Sequence, residues 1–250
     1  MNAARTPLIA ANWKMNKTIG EALSYIKELK GFVKDIRERE IAVCAPFTAL
    51  SALSAVLKGS NIGLGAQNMH FENEGAFTGE VSAKMLWEIG AKYVILGHSE
   101  RRQLFGERDE MINKKVKKAL ESELNVIFCT GESLEQREAN STEAVLERQL
   151  RKGLAGITDM RGIVIAYEPL WAIGTGKTAT PEQAQEAHEY ARELLASMLG
   201  EDAAEHTRII YGGSMKPENA KALMAKPDID GGLVGVASLD AKSFAEIVKY

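Results

Sequence analysis

Cysteine is scarce: Cys44 and Cys129 are the only two in 250 residues. Two cysteines make no disulfide framework, and neither sits in a Cys-x-x-Cys or Cys/His cluster suited to a structural zinc ion. A basic excess is also missing. Lys and Arg number 31 against 34 Asp and Glu, for a net charge of −3, so nothing draws the chain to nucleic acid or to an anionic membrane. An anionic ligand must therefore be held by local geometry. No apolar run approaches the ~18 residues needed to span a bilayer. Residues 1–6 lack the apolar stretch of a signal peptide, and the expected compartment is the reducing cytoplasm.

What is present is an ordinary globular composition, 45% hydrophobic and 26% charged, which gives enough apolar surface to offset the ordering entropy. The length fits one or two domains, and α/β barrels of this size commonly form one. No sequence repeat is visible, but a pattern repeats. Short apolar runs recur at Leu8–Ala11, Ile41–Ala45, Ile62–Ala66, Tyr93–Leu96, Val126–Cys129, Ile163–Tyr167, Ile209–Tyr211 and Gly232–Val234. Each precedes a polar or glycine-containing turn and a helical pattern, and the spacing of roughly 30 residues is that of a βαβ unit. Nearly continuous apolar character suits strands buried on both faces.

Helix starts are legible as well. Thr18-Ile19-Gly20-Glu21 reads as a capping box, and Thr180-Pro181-Glu182-Gln183 as a second start with proline at the first helical position. After it, Ala184, Ala187, His188, Ala191, Leu194, Leu195 and Met198 form a stripe of 3.6-residue period that packs on a sheet, with His188 as a packed histidine. Eight strand–helix units without a linker point to one closed (β/α)8 barrel of eight parallel strands, a single catalytic domain over residues 1–250. The competing open, doubly wound sheet usually carries Gly-x-Gly-x-x-Gly after its first strand. Here that strand runs into Asn12-Trp13-Lys14, with no glycine.

Barrel active sites sit at the C-terminal strand ends. The polar residues found there are Asn12 and Lys14 after the first strand, His98-Ser99-Glu100 after the fourth, Glu168 after the sixth, Gly212-Gly213-Ser214 after the seventh and Gly235-Val236-Ala237-Ser238 after the eighth. Each has a plainer reading alone. Glu168 could be a solvated loop acid, His98 a hydrogen-bonded structural histidine, and Lys14 a snorkelling surface lysine. Their convergence on one rim favours chemistry. Small-residue loops that run into helix starts can offer backbone N–H groups to a phosphate. The small stretch Ala172–Gly176, between Pro169-Leu170-Trp171 and Lys177-Thr178-Ala179, reads as a mobile lid with stiffer hinges.

Taken together, Ala11-Asn12-Trp13-Lys14-Met15-Asn16, Leu96-Gly97-His98-Ser99-Glu100-Arg101-Arg102, Ala166-Tyr167-Glu168-Pro169-Leu170-Trp171-Ala172-Ile173-Gly174-Thr175-Gly176-Lys177 and Tyr211-Gly212-Gly213-Ser214 resemble the triosephosphate isomerase family, end to end. The resemblance implies proton transfer through an enediolate between dihydroxyacetone phosphate and D-glyceraldehyde 3-phosphate, a reaction of glycolysis and gluconeogenesis. It implies Glu168 as general base, His98 as a neutral electrophile, Lys14 as the cation at the enediolate oxygen with Glu100 as its acidic partner, and Asn12 as a further donor. Asn12, Trp13, Lys14, Gly174, Ser214, Gly235 and Val236 would contact the substrate, with backbone N–H groups of Gly174, Ser214 and Gly235 on the phosphate. No metal or organic cofactor is implied. The partners implied are the small phosphorylated triose and a second copy of the chain. The homodimer would form through the loop Gln67–Glu80, whose Met69, Phe71 and Phe77 are expected to be exposed and whose Thr78 would reach the other subunit's site. The plainer alternative folds that loop back on its own barrel.

Three positions depart from the family's usual pattern. Val236 stands where glycine is frequent, which predicts poor tolerance of positive φ and added bulk beside the phosphate. Phe77 replaces a frequent tyrosine, and Leu170 a frequent valine. Two other functions fit parts of the chain. Another phosphate-binding barrel enzyme, acting on a sugar phosphate or a phosphorylated indole precursor, explains the phosphate loops but not Lys14, His98 and Glu168 together. A barrel serving only as a binding scaffold would not need those three.

Overall fold

Every one of the eight apolar runs forms a strand, several longer than expected by a residue at one or both ends. They are β1 (Leu8–Asn12), β2 (Glu40–Ala45), β3 (Ile62–Ala66), β4 (Tyr93–Leu96), β5 (Asn125–Thr130), β6 (Ile163–Tyr167), β7 (Arg208–Tyr211) and β8 (Gly231–Val234). The computed structural model describes residues 5–172 and 178–250. The strands pair in parallel in chain order, and β8 returns to β1 with Leu8 opposite Gly231 and Ala11 opposite Val234, closing a barrel. Helices follow the strands on the outside.

The barrel explains why the runs lack alternation. Leu8, Ala10, Cys44, Ile95, Ile127, Val164, Ala166, Ile210 and Leu233 pack with one another inside it. Their neighbours Ile9, Ala11, Val43, Val94, Val126, Ile165 and Ile209 pack outward against the helices. Both faces are thus apolar. Two glycines of β3 make room for one large side chain. A Cβ at Gly63 would lie 3.1 Å from the Tyr93 ring, and one at Gly65 would lie 2.5 Å from Cys44 Sγ and 3.3 Å from Tyr93 Cβ. Tyr93 fills the space, and its hydroxyl bonds Glu40, which accepts from Arg208 at 2.9 Å.

The capping box at Thr18 forms, and the start at Thr180, with Pro181 opening the helix Pro181–Leu199, proves to be a capping box as well. The buried stripe of that helix holds His188, whose Nδ1 lies 2.6 Å from the Ala184 carbonyl oxygen and therefore carries the proton. Burial pushes the His188 pKa down to about 4. Met198 is half-buried at the edge of the same face. Among the described residues no helix is long and apolar enough to cross a membrane.

The long loop after β3 departs from expectation at one residue. Met69 is fully buried, and it anchors the loop to its own barrel. Phe71 is half-buried and Phe77 is 43% exposed. His70 stacks on the Phe71 ring and lies tilted against that of Phe77, with centroids 4.3 Å from each.

Candidate active site

The C-terminal strand ends open into a cavity of about 560 Å³ lined by Asn12, Lys14, His98, Glu168, Ser214, Gly235 and Val236. Five different strands deliver these residues to one place. Leu233, inside the barrel, gives the cavity an apolar wall.

Lys14 is held in an unusual backbone state. Its φ is 52°, the left-handed region that costs a non-glycine residue about 1 kcal/mol. Two amide side chains fix it there. Asn12 Oδ1 accepts the Lys14 N–H at 3.1 Å, and Gln67 Nε2 donates to the Lys14 carbonyl at 2.9 Å and to that of Cys44 at 3.0 Å. The Lys14 ammonium meets Glu100 Oε1 at 2.5 Å.

His98 caps the helix Ser99–Leu104, and its Nδ1 accepts the Glu100 N–H at 3.2 Å. An imidazolium has no free lone pair for that bond. The ring is therefore neutral, with its proton on Nε2, which faces Glu168 Oε1 at 2.9 Å. Glu168 Oε2 accepts the Ser99 N–H at 3.0 Å. Burial of Glu168 raises its pKa, but His98, the Ser99 N–H and the charge of Lys14 outweigh it and hold the carboxyl below the usual carboxylate range. For His98, burial pulls the pKa down and the facing Glu168 draws it up beyond its ordinary value. The Glu100 N–H works against protonation. The pair thus rests as carboxylate and neutral imidazole.

Glycine is required beside Glu168. A Cβ at Gly212 would fall 2.7 Å from Glu168 Cγ, and one at Gly131 would fall 1.9 Å from the Glu168 carbonyl oxygen. The segment after Glu168 is anchored through buried Glu132, whose Oε1 accepts from Trp171 Nε1 at 2.9 Å and from the Tyr167 hydroxyl at 3.0 Å. Arg137 stacks on Trp171 at 4.8 Å.

Several sequence expectations need correction or completion. Trp13 does not reach the cavity. It is fully buried, packs edge to face on Tyr25 at 4.9 Å, and donates its backbone N–H to Cys44. The Ser214 N–H, expected to face a phosphate, donates to the Ala172 carbonyl at 3.0 Å. Val236 is 75% exposed and is not among the described non-glycine residues with positive φ, so only its bulk bears on the site. Gly174 and most of the lid stretch lie outside the described residues, and Thr78 is exposed on the loop after β3 without lining the cavity. Cys129 is buried in the barrel interior, and burial raises its thiol pKa well above the ordinary value. Two contributors have no role in the site assigned from the sequence, Ser99 and Gln67, the latter marking there only the start of the interface loop. Ser99 adjoins His98 at a helix start, which is a usable signal for an N–H donor. Gln67 is brought to Lys14 only by the pairing of β1 with β2 and of β2 with β3.

Comparison with known proteins matches residues 7–250 to the family described as triosephosphate isomerase. A triosephosphate isomerase of Carboxydothermus hydrogenoformans is 60% identical over 247 residues, covering 98% of each chain. One from Endomicrobium trichonymphae is 56% identical over 248 residues, covering 98% of this chain and 99% of its own. The crystal structure of triosephosphate isomerase from Bartonella henselae superposes with a TM-score of 0.90 at 40% identity, covering 98% of both chains.

Proposed function

Since the chain belongs to the triosephosphate isomerase family and interconverts dihydroxyacetone phosphate and D-glyceraldehyde 3-phosphate, we propose that Glu168, His98, Lys14 and Asn12 carry the reaction. The observation that supports this most directly is the facing of a buried carboxylate and a neutral imidazole N–H across 2.9 Å, beside an ammonium in one cavity.

Glu168 takes a proton from the carbon next to the carbonyl and returns it to the former carbonyl carbon, while the hydroxyl proton passes by way of His98 to the former carbonyl oxygen, so that carbonyl and hydroxyl exchange places. The carbonyl oxygen gains charge as the enediolate forms, and preorganised donors must meet it. His98 Nε2–H and the Lys14 ammonium are those donors, with Asn12 beside them. Glu168 first exchanges its bond to His98 for the substrate. The carboxylate then loses a stabilising donor and becomes the stronger base, while Nε2–H is released to the substrate oxygen. Glu100 holds the Lys14 ammonium at the rim. The N–H groups of Gly235 and Val236, at the start of the short 3-10 helix Val236–Leu239, face the phosphate. The Ser214 N–H joins them when its bond to Ala172 is exchanged.

The working form is a homodimer. Met15 and Phe105, exposed by 96% and 67%, are covered by the loop 67–80 of a second copy, which carries Phe77, itself 43% exposed, and sets Thr78 near the other subunit's Asn12 and Lys14. The compartment is the cytoplasm.

The deciding experiment is a coupled assay of D-glyceraldehyde 3-phosphate isomerisation for the wild type and Glu168→Asp. Shortening the side chain by one methylene keeps the charge and withdraws the base. Turnover is expected to fall by about 100-fold or more. Equal rates for the two proteins would overturn the assignment of Glu168.

A further inference from the structure

The loop after β1 holds a second non-glycine residue in the left-handed region, Lys17, with φ 75°. Glycine would relieve that strain, so the lysine side chain must be held by something outside its own backbone. Its Nζ donates to the Leu239 carbonyl at 2.8 Å. The same ammonium lies 4.6 Å from the Tyr25 ring centre and 5.4 Å from that of Trp13, within the range of cation–π attraction. Partial burial lowers its pKa, and the nearby carboxylates of Glu21 and Asp240 offset part of that.

Leu239 ends the 3-10 helix Val236–Leu239. At the start of that segment, Lys14 Cε lies 3.7 Å from where a Gly235 Cβ would stand. The loops after β1 and β8 therefore touch at two points, Lys14 against Gly235 and Lys17 against Leu239. Strand pairing does not set their spacing, because the β1–β8 register ends at Ala11 and Val234. Beyond it, Lys17–Leu239 is the one hydrogen bond among the described residues that joins residues 13–18 to residues 235–240.

We propose that Lys17 is a positioning residue: its ammonium, seated on Trp13 and Tyr25 and bonded to Leu239, fixes the Gly235–Val236 amides at the height of the Lys14 ammonium and so sets the affinity for the phosphate group of the substrate. This rests on the isomerase reading and gives buried Trp13 a purpose, as a platform for Lys17.

Three variants test it. Lys17→Met keeps the aliphatic stem and loses the charge. Lys17→Gly also relieves the left-handed strain and so keeps the fold. Lys17→Arg keeps the cation. We expect KM and the inhibition constant of inorganic phosphate to rise about fivefold in the Met and Gly variants, the net scale of one ordinary hydrogen bond. Turnover should stay within about twofold of wild type, and the Arg variant should retain most of the affinity. Unchanged phosphate inhibition in the Gly variant, or a fall in turnover at unchanged KM, overturns the proposal. The phosphate affinity is also read from the rise in melting temperature that inorganic phosphate produces. That readout decides on Lys17 even if a wild type without isomerase activity sinks the functional reading.

Discussion

Glu168 Oε1 and His98 Nε2 lie 2.9 Å apart, and the far nitrogen of the same ring accepts the Glu100 N–H at 3.2 Å. The backbone of a helix start thus chooses the tautomer, and the tautomer aims the only ring proton at the base. One ring orientation serves the resting state and the reaction, because the substrate oxygen replaces Glu168 as acceptor.

Replacing His98 by Gln leaves a donor of different reach and geometry. Turnover is expected to drop about 100- to 1,000-fold, as when one oxyanion donor is lost, with a much smaller change in KM. Steady-state kinetics check this. A variant within tenfold of wild-type turnover would place the electrophile elsewhere.

Gly65→Ala puts a methyl group 2.5 Å from Cys44 Sγ inside the barrel. Overpacking of this kind destabilises by about 1–3 kcal/mol, or some 2–4 °C of melting temperature per kcal/mol for a chain of this size. Thermal melting checks this, and Cys44→Ala should restore much of the loss by vacating the space. No rescue would mean that the contact with Tyr93 dominates.

His188 links stability to acid. Its pKa is about 4 in the folded chain against an ordinary 6.5, so between these values the unfolded chain binds a proton that the folded chain refuses. Stability is whole above pH ~6.5 and falls toward pH ~4 by up to about 1.4 kcal/mol per unit from this group. Denaturant titrations at several pH values, wild type beside His188→Gln, check it. The variant should show a shallower loss, and parallel curves would remove His188 from the account.

Val236→Gly removes a largely exposed isopropyl group from the phosphate rim. With no positive φ to relieve, KM is expected to change by less than about threefold, and stability to fall by about 0.5–1 kcal/mol from added chain entropy. A tenfold lower KM in the variant would show that bulk at this rim governs affinity.

Much of this was legible in the chain because local signals and global fold agree. Apolar runs marked the strands, and Thr18 and Thr180 marked helix starts through chemistry that acts over three residues. Asn12, Lys14, His98 and Glu168 were findable because a barrel sends every strand end to one rim. Failures occurred where the outcome hangs on distant partners. Trp13 sits between Asn12 and Lys14 yet turns into the core, because Tyr25 offers an aromatic edge. Ser214 has its N–H taken by Ala172, 42 positions away. Met69 packs inward while Phe77 in the same loop stays exposed. Nothing in the neighbouring residues encodes those choices.

The return of β8 to β1 has a temporal consequence. Synthesis runs from the amino end, so Asn12 and Lys14 emerge long before Gly235 and Val236. Until β8 exists, β1 and β7 are open edges, the kind of strand that invites pairing between chains. Ties such as Arg5 to Asp230 and Lys17 to Leu239, 225 and 222 positions apart, form only then. Sealing the sheet against aggregation and acquiring the grip on phosphate are therefore one event, and a ribosome-bound chain short of its last strand holds the acid–base groups without the means to retain their substrate.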